Sequence, residues 1–288
     1  MIRDRGYFHW DGAFIDRRLP WWPVTRQSLR LTFKKKFFKF FFVSSLLPTF
    51  VALGLIYASE RIEDFRFMVR GQKSILQVNP AFFKNYFSND GLLFLIVMLM
   101  LFSGAGLIAD DMKHNALQLY FSRPLRKRDY LLGKAGALGF FLLSLTLVPG
   151  LLFILFKLIF SGSFAFLRDY PWLPLSVVAV SLLFTVFFTM YTLLLSSLSP
   201  NRRYVSILIF GVYIFSDILF GIFRGNFHSP YFALISIKAN LQQLTAFLFR
   251  RNPAFQVSWV YSLLILLAIC LAAFFVLKKR AKGVTVIR

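Results

Sequence analysis

Six apolar runs, each close to the thickness of a bilayer's hydrocarbon core, constrain this chain more than any other feature. They occupy residues 38–58, 92–109, 138–160, 173–198, 204–223 and 259–277. A core roughly 30 Å thick takes about 20 helical residues to cross, and backbone surrounded by hydrocarbon must satisfy its own polar groups, which for single runs means helix. The sequence therefore predicts an all-α integral membrane protein of about six transmembrane helices. Pro48, Pro149 and Pro174 fall within or at the ends of runs, where each would kink a helix or mark its start. Hydrophobic residues make up 58% of the 288, with 38 Phe, well above a soluble domain. That Phe excess fills a bundle and its lipid-facing surface without implying a ligand.

The formal charge of +22 would suit a nucleic-acid partner only on a soluble basic face. Here Lys and Arg cluster at the ends of the apolar runs, which points to membrane lipids and excludes nucleic acid. With both termini on one side, that side collects most of the cations, and two long opposite loops supply nearly all the others. The expected topology is multi-pass with N- and C-termini cytoplasmic. Asn201-Arg202-Arg203 then forms a tight turn on the inner side, and Lys278-Lys279-Arg280 an inner stop. The first 23 residues lack the apolar core and cleavage site of a signal peptide. The one cysteine, Cys270, lies in an apolar run and offers neither disulfide nor metal framework.

Domain organisation reads as a cytoplasmic N-terminal segment, 1–37, and a single transmembrane domain, 38–288. Within 24–40, Leu29, Phe33 and Phe37 step by four along one helical face, and Arg26, Arg30 and Lys34 along its neighbour. That pattern predicts an interfacial amphipathic helix with its cations on headgroup phosphates.

Between the second and third runs, Gly104 to Lys134 forms an elbow. It passes an acidic pair, Asp110 and Asp111, and reaches Ser122-Arg123-Pro124, a helix start with Ser122 or Arg123 as cap. Leu125, the cations Arg126, Lys127 and Arg128, then Asp129, Tyr130, Gly133 and Lys134 follow. A short charged helix at the membrane surface is predicted. Gly133, Gly136 and Gly139 make a small-residue stripe that would let the third span approach a neighbour closely.

This elbow, with its N-A-L-Q-L-Y-F-S-R-P-L run leading into D-Y-L-L-G-K, resembles the permease subunits of ABC type-2 transporters. The resemblance implies an exporter-like pair of permease subunits, identical or related, in a prokaryotic inner membrane, driven by separate ATP-binding-cassette subunits. It implies a coupling helix at Ser122 to Lys134 that sits on the ATPase, and an interfacial connecting helix at the place of 24–40. ATP and Mg would be bound by the partner. The chain itself has no GxxxxGK[ST] phosphate cradle, no HExxH and no GxSxG. No cofactor or metal is expected in it, and no catalytic residue.

Ionisable residues inside spans call for a role. Asp217 lies roughly 20 Å, and Lys157 roughly 28 Å, from the inner ends of their helices at 1.5 Å per residue. They could pair if their helices are neighbours, Lys157 could snorkel, or they could line a substrate path. His114 beside Asp110 and Asp111 reads first as a plain charged turn at headgroup level, and is otherwise the remaining candidate for a metal or acid–base cluster. Residues 59–90 read as either a small cap or a solvated linker. Residues 232–249 predict a helix on or dipping into the outer leaflet, with Leu234, Ile237, Leu241, Leu244 and Leu248 opposite Ser236, Asn240 and Gln243, serving to seal the bundle. A membrane-embedded enzyme and a force-transmitting subunit without transport are the alternative functions.

Overall fold

The structure, a computed structural model, describes residues 19–60, 78–116, 125–227, 229–253 and 255–280. Six helices among them are long and apolar enough to cross a membrane: Lys36–Ser59, Asp90–Lys113, Lys127–Ser161, Leu173–Leu198, Arg202–Phe227 and Trp259–Arg280. They are called the first to sixth spans below. No strand occurs among the described residues.

Burial separates centre from rim. In the second span 72% of the apolar window is enclosed by protein and in the fourth 56%, against 17% in the fifth and 22% in the first and sixth. The second, third (50%) and fourth spans are therefore the core, and the first, fifth and sixth present apolar flanks to their surroundings. The second and fourth meet where Gly104 faces Thr192. A Cβ on Gly104 would lie 2.2 Å from the Thr192 methyl, so only hydrogen fits at that crossing.

Hydropathy located the lipid-embedded stretch of each span but not the full helix. The third span is one helix of 35 residues running through Pro149, about 52 Å long at 1.5 Å per residue. That exceeds the hydrocarbon core by roughly 20 Å. The charged elbow helix and the third run, expected as separate pieces, are thus continuous from Lys127 onward. The first span breaks at Ser45–Leu46, just ahead of Pro48, whose ring and missing N–H disfavour the preceding turn. The second breaks at Ala105 into Asp90–Gly104 and Gly106–Lys113, so Asp110 and Asp111 sit on a final helical turn. The turn at Asn201 is as tight as expected: Ser199-Pro200-Asn201 separates two spans, with the Asn201 side chain accepting from the Arg203 N–H at 3.0 Å.

At the end opposite the elbow, helix Pro80–Phe87 is capped by Asn79, whose side chain accepts from the N–H groups of Ala81 and Phe82. Its Phe83 and Phe87 are fully buried against Phe153, Phe184 and Phe249. The last part of the segment read as cap or linker is therefore an aromatic plug, Pro80–Phe87. The charged stretch of that segment lies outside the described residues. Helix Ile237–Leu248 is the second plug, and here the sequence reading needs correction. Its polar face is not wet: Asn240 and Gln243 are buried with Leu241 and Leu244. Asn240 donates to the carbonyls of Leu234 and Ser236 at 2.8 Å each, and Gln243 holds the backbone of Phe255 and Val257. Its polar side chains close the chain's own irregular backbone, and its role as a sealing, packing helix stands.

Candidate functional site at the elbow end

The site is built where the end of the second span meets the start of the third. Asp111 Oδ2 accepts from the Tyr130 hydroxyl at 2.7 Å and from Lys134 Nζ at 2.7 Å. The Lys134 ammonium also stands 5.4 Å from the Tyr130 ring centroid. Lys134 is buried, with a side chain only 7% exposed, which makes this an enclosed ion pair rather than a surface one. Tyr130 and Lys134 are one helical turn apart, so both reach the same carboxylate from one face.

The N-terminal helix, Trp22–Phe33, clamps the same stretch of the third span. Thr25 Oγ1 donates to the Gly133 carbonyl at 2.9 Å. A Cβ on Gly133 would come within 2.6 Å of Val24 Cβ and 2.8 Å of the Trp21 carbonyl oxygen, and one on Gly136 within 2.9 Å of Thr25 Oγ1. Gly139, the third member of the stripe, turns instead towards Thr185 of the fourth span. The expected close approach is real, and its partner is the N-terminal helix.

That contact buries a hydroxyl face of the helix and leaves most of the predicted apolar face outside the protein contact. The buried side is Thr25, Ser28 and Thr32, while Leu29 is half-buried, Phe33 is 38% exposed and Phe37 70%. A glycine-lined surface with a free carbonyl lobe is met best by small hydroxyl side chains, which a hydropathy pattern scores as polar. The helix also stops at Phe33, and Phe37 belongs to the first span. Arg26, Arg30 and Lys34 are exposed, as cations on headgroups require.

Lys35, which the sequence did not single out, bridges the two helices and donates to the Phe102 carbonyl at 3.2 Å. Burial pushes its ammonium down to about 8, with Arg202 adding to the effect and Asp110 opposing it. Asp110 faces away from Asp111 and lines an open cleft of about 620 Å³ with Lys113, Pro200, Asn201, Arg202 and Arg203. A second missed residue is Ser196 on the fourth span. Its hydroxyl donates to the Ala105 carbonyl at 2.9 Å and accepts from the N–H groups of Ile108 and Ala109 at 3.0 and 3.2 Å, mending the break in the second span from outside.

Of the elbow residues, Ser122, Arg123 and Pro124 lie outside the described residues. Leu125 and Arg126 are non-helical, Arg126 is the N-cap and the helix begins at Lys127, so the predicted start at Ser122–Pro124 does not run on into this helix. Arg126, Lys127 and Arg128 are exposed, and Asp129 sits in the first turn, where a carboxylate suits the helix dipole. The three cations oppose that dipole.

The remaining ionisable candidates meet local partners. His114 Nδ1 lies 2.8 Å from the Asp110 backbone oxygen in an exposed C-terminal turn, and no group of three potential metal ligands occurs among the described residues. Asp217 pairs with Lys238 at 2.8 Å and accepts from Ser236 at 3.0 Å, rather than meeting Lys157. Lys157 stands over the Phe166 ring at 5.9 Å. The Lys238 ammonium, partly desolvated, is nonetheless raised above its usual value by Asp217 and Asp90.

The profile of the family described as ABC-2 family transporter protein matches residues 38–281, which takes in all but the first two residues of the six-span bundle and stops before the C-terminal tail. The chain belongs to that family. It is a multi-pass membrane permease of an ABC transporter, a type of subunit that is normally non-catalytic and works with ATPase subunits. The ABC-2 match includes the second and third spans and the elbow between them, and leaves the N-terminal helix outside. A comparison with curated proteins finds no match.

Proposed function

We propose that this ABC-2 permease is one half of an exporter, pairing with a second permease subunit, identical or related, to form the path. Two ATPase subunits sit beneath and bind ATP and Mg, and this chain carries no catalysis of its own. Its N- and C-termini and the elbow face the cytoplasm of a prokaryote, across the inner membrane. The observation that carries the reading is the third span itself. It overshoots the hydrocarbon, presents Arg126, Lys127 and Arg128 at its exposed tip, and is held to the second span by Asp111, Lys134 and Tyr130. Cations at a helix start cost stability unless an external anion answers them, and an acidic groove on an ATPase would do so. A helix that is rigid from tip to bilayer carries a displacement of the tip into the bundle.

The test is gentle purification from the native host, identification of co-purifying proteins and an ATPase assay, repeated with Arg126→Glu/Arg128→Glu. A P-loop ATPase that co-purifies with the wild type and is lost or uncoupled in the variant supports the proposal. A chain that comes out alone, or a charge-reversed variant with unchanged association and activity, defeats it.

A further inference from the structure

The end opposite the elbow carries a second concentration of cations. Lys84 and Asn85, from helix Pro80–Phe87, face Arg250, Arg251 and Asn252 across an open cleft of about 260 Å³. Ala81 is the remaining lining residue, so among the described residues no carboxylate lines the cleft. Two separate segments thus bring three like charges to one cleft, which costs free energy unless something negative occupies it.

The backbone at Arg250 sharpens the point. Helix Ile237–Leu248 ends in a Schellman turn: the Arg250 N–H bonds the Phe247 carbonyl and the Arg251 N–H the Ala246 carbonyl, both at 2.9 Å. The residue that follows the cap in such a turn is usually glycine, because it must adopt a left-handed conformation. Here it is Arg250, with φ at +50°. Its guanidinium is then held by stacking over Trp172, 4.9 Å from the ring centroid. Favourable charge against helix C-terminal dipoles explains a cation near each helix end. It does not explain an arginine at the one position where glycine would be unstrained, nor a guanidinium fixed on an indole.

We propose that Lys84, Arg250 and Arg251 form a binding site for a phosphate-bearing anion. Two guanidinium forks and an ammonium supply charge-assisted donors, and the Asn85 and Asn252 amides supply neutral ones, the set that suits tetrahedral oxygens. The group can arrive on an anionic lipid headgroup of the adjoining leaflet or as a soluble phosphate. The site does not depend on which ATPase, if any, drives the protein.

The test uses the full chain with two variants, Arg250→Gly and Lys84→Gln/Arg251→Gln. Arg250→Gly keeps the turn, its relief of the left-handed strain roughly offsetting the lost stacking on Trp172, so without anion it unfolds within a few degrees of wild type. Thermal unfolding in detergent is followed against inorganic phosphate at constant ionic strength. Native mass spectrometry then counts phosphatidylglycerol retained from nanodiscs of phosphatidylcholine with and without it. A phosphate-dependent rise in Tm, weakened about tenfold or more in apparent affinity by either variant, assigns the site to soluble phosphate. Phosphatidylglycerol retained by wild type and lost from both variants, with no response to inorganic phosphate, assigns it to lipid. Equal responses in wild type and variants, or no response of the wild type to either probe, overturn the proposal.

Discussion

Breaking the Asp111–Lys134 pair should be among the most damaging single changes available in this protein, and breaking it from both sides far less so. The carboxylate and ammonium stand 2.7 Å apart with side chains 16% and 7% exposed. Lys134→Met leaves an enclosed carboxylate with the Tyr130 hydroxyl alone from this trio, and Asp111→Asn leaves an enclosed ammonium with no carboxylate. Removing one partner of a buried pair costs about 3–5 kcal/mol, and the residual exposure of Asp111 places its loss at the lower end. Replacing both at once, Asp111→Leu/Lys134→Met, removes the uncompensated charge. The double variant should then sit within about 2 kcal/mol of wild type, since the Tyr130 hydroxyl loses one acceptor. The assay is unfolding of the detergent-solubilised chain for wild type, both single variants and the double, read as a double-mutant cycle. ATPase response of the complex is measured in parallel. If the pair transmits force, the double variant is stable and its ATPase no longer answers the permease. Single losses below about 1 kcal/mol, or a double loss equal to the sum of the singles, would refute the account of an enclosed, interdependent pair.

The clamp by the N-terminal helix predicts that Gly133→Ala costs about 1–3 kcal/mol through overpacking. Val24→Ala should not rescue it, because the clash is with Val24 Cβ and the Trp21 carbonyl; rescue in thermal unfolding would show the geometry to be wrong. Lys35 titrates near 8 in the fold against 10.5 when unfolded, so the unfolded chain holds more protons between those values. Stability should therefore rise as pH climbs from about 8 to 10.5, and Lys35→Gln should flatten that slope in unfolding measured against pH. At the opposite end, a double-mutant cycle should find coupling between Asp217 and Lys238 and none between Asp217 and Lys157, the pair the sequence suggested.

What the sequence made legible was whatever depends on long apolar runs and small-residue spacing: the six spans, the turn at Asn201, the glycine stripe and the sealing helix. What it hid depends on a side chain meeting a partner distant in sequence. Thr25, Ser28 and Thr32 look like a solvated face until the glycine surface of the third span lies against them. Ser196 is one hydroxyl in an apolar run, and nothing local announces a helix break 90 residues away that it can mend. Asp217 was matched by depth with Lys157 because Lys238 lay in a segment expected on a leaflet surface. The helical start at Lys127 was missed because hydropathy marks where a helix enters lipid, and this helix begins about ten residues earlier.

The elbow end is tied together at points on the second span and at the end of the fourth. Lys134 joins the third span to it and Ser196 joins the fourth, while Arg280 of the sixth donates to the Leu198 carbonyl at 3.2 Å. At the other end Lys238 and Gln242 reach Asp90, the first residue of the same span. A displacement imposed on the tip of the third span is therefore delivered to a helix contacted at both ends, and the one place that helix can give is the break at Ala105. Ser196 decides how stiff that place is. Ser196→Ala removes the acceptor for two N–H groups and the donor for one carbonyl, in surroundings where water cannot replace them, for a loss of about 1–3 kcal/mol. The informative readout is local. Hydrogen exchange at the amides of Ile108 and Ala109 should accelerate strongly, while the amides of Leu99 and Met100, a turn or more before the break, keep their protection. Uniform acceleration along the span would mean that the break is no hinge, and unchanged exchange at Ile108 and Ala109 would mean that Ser196 does not hold it.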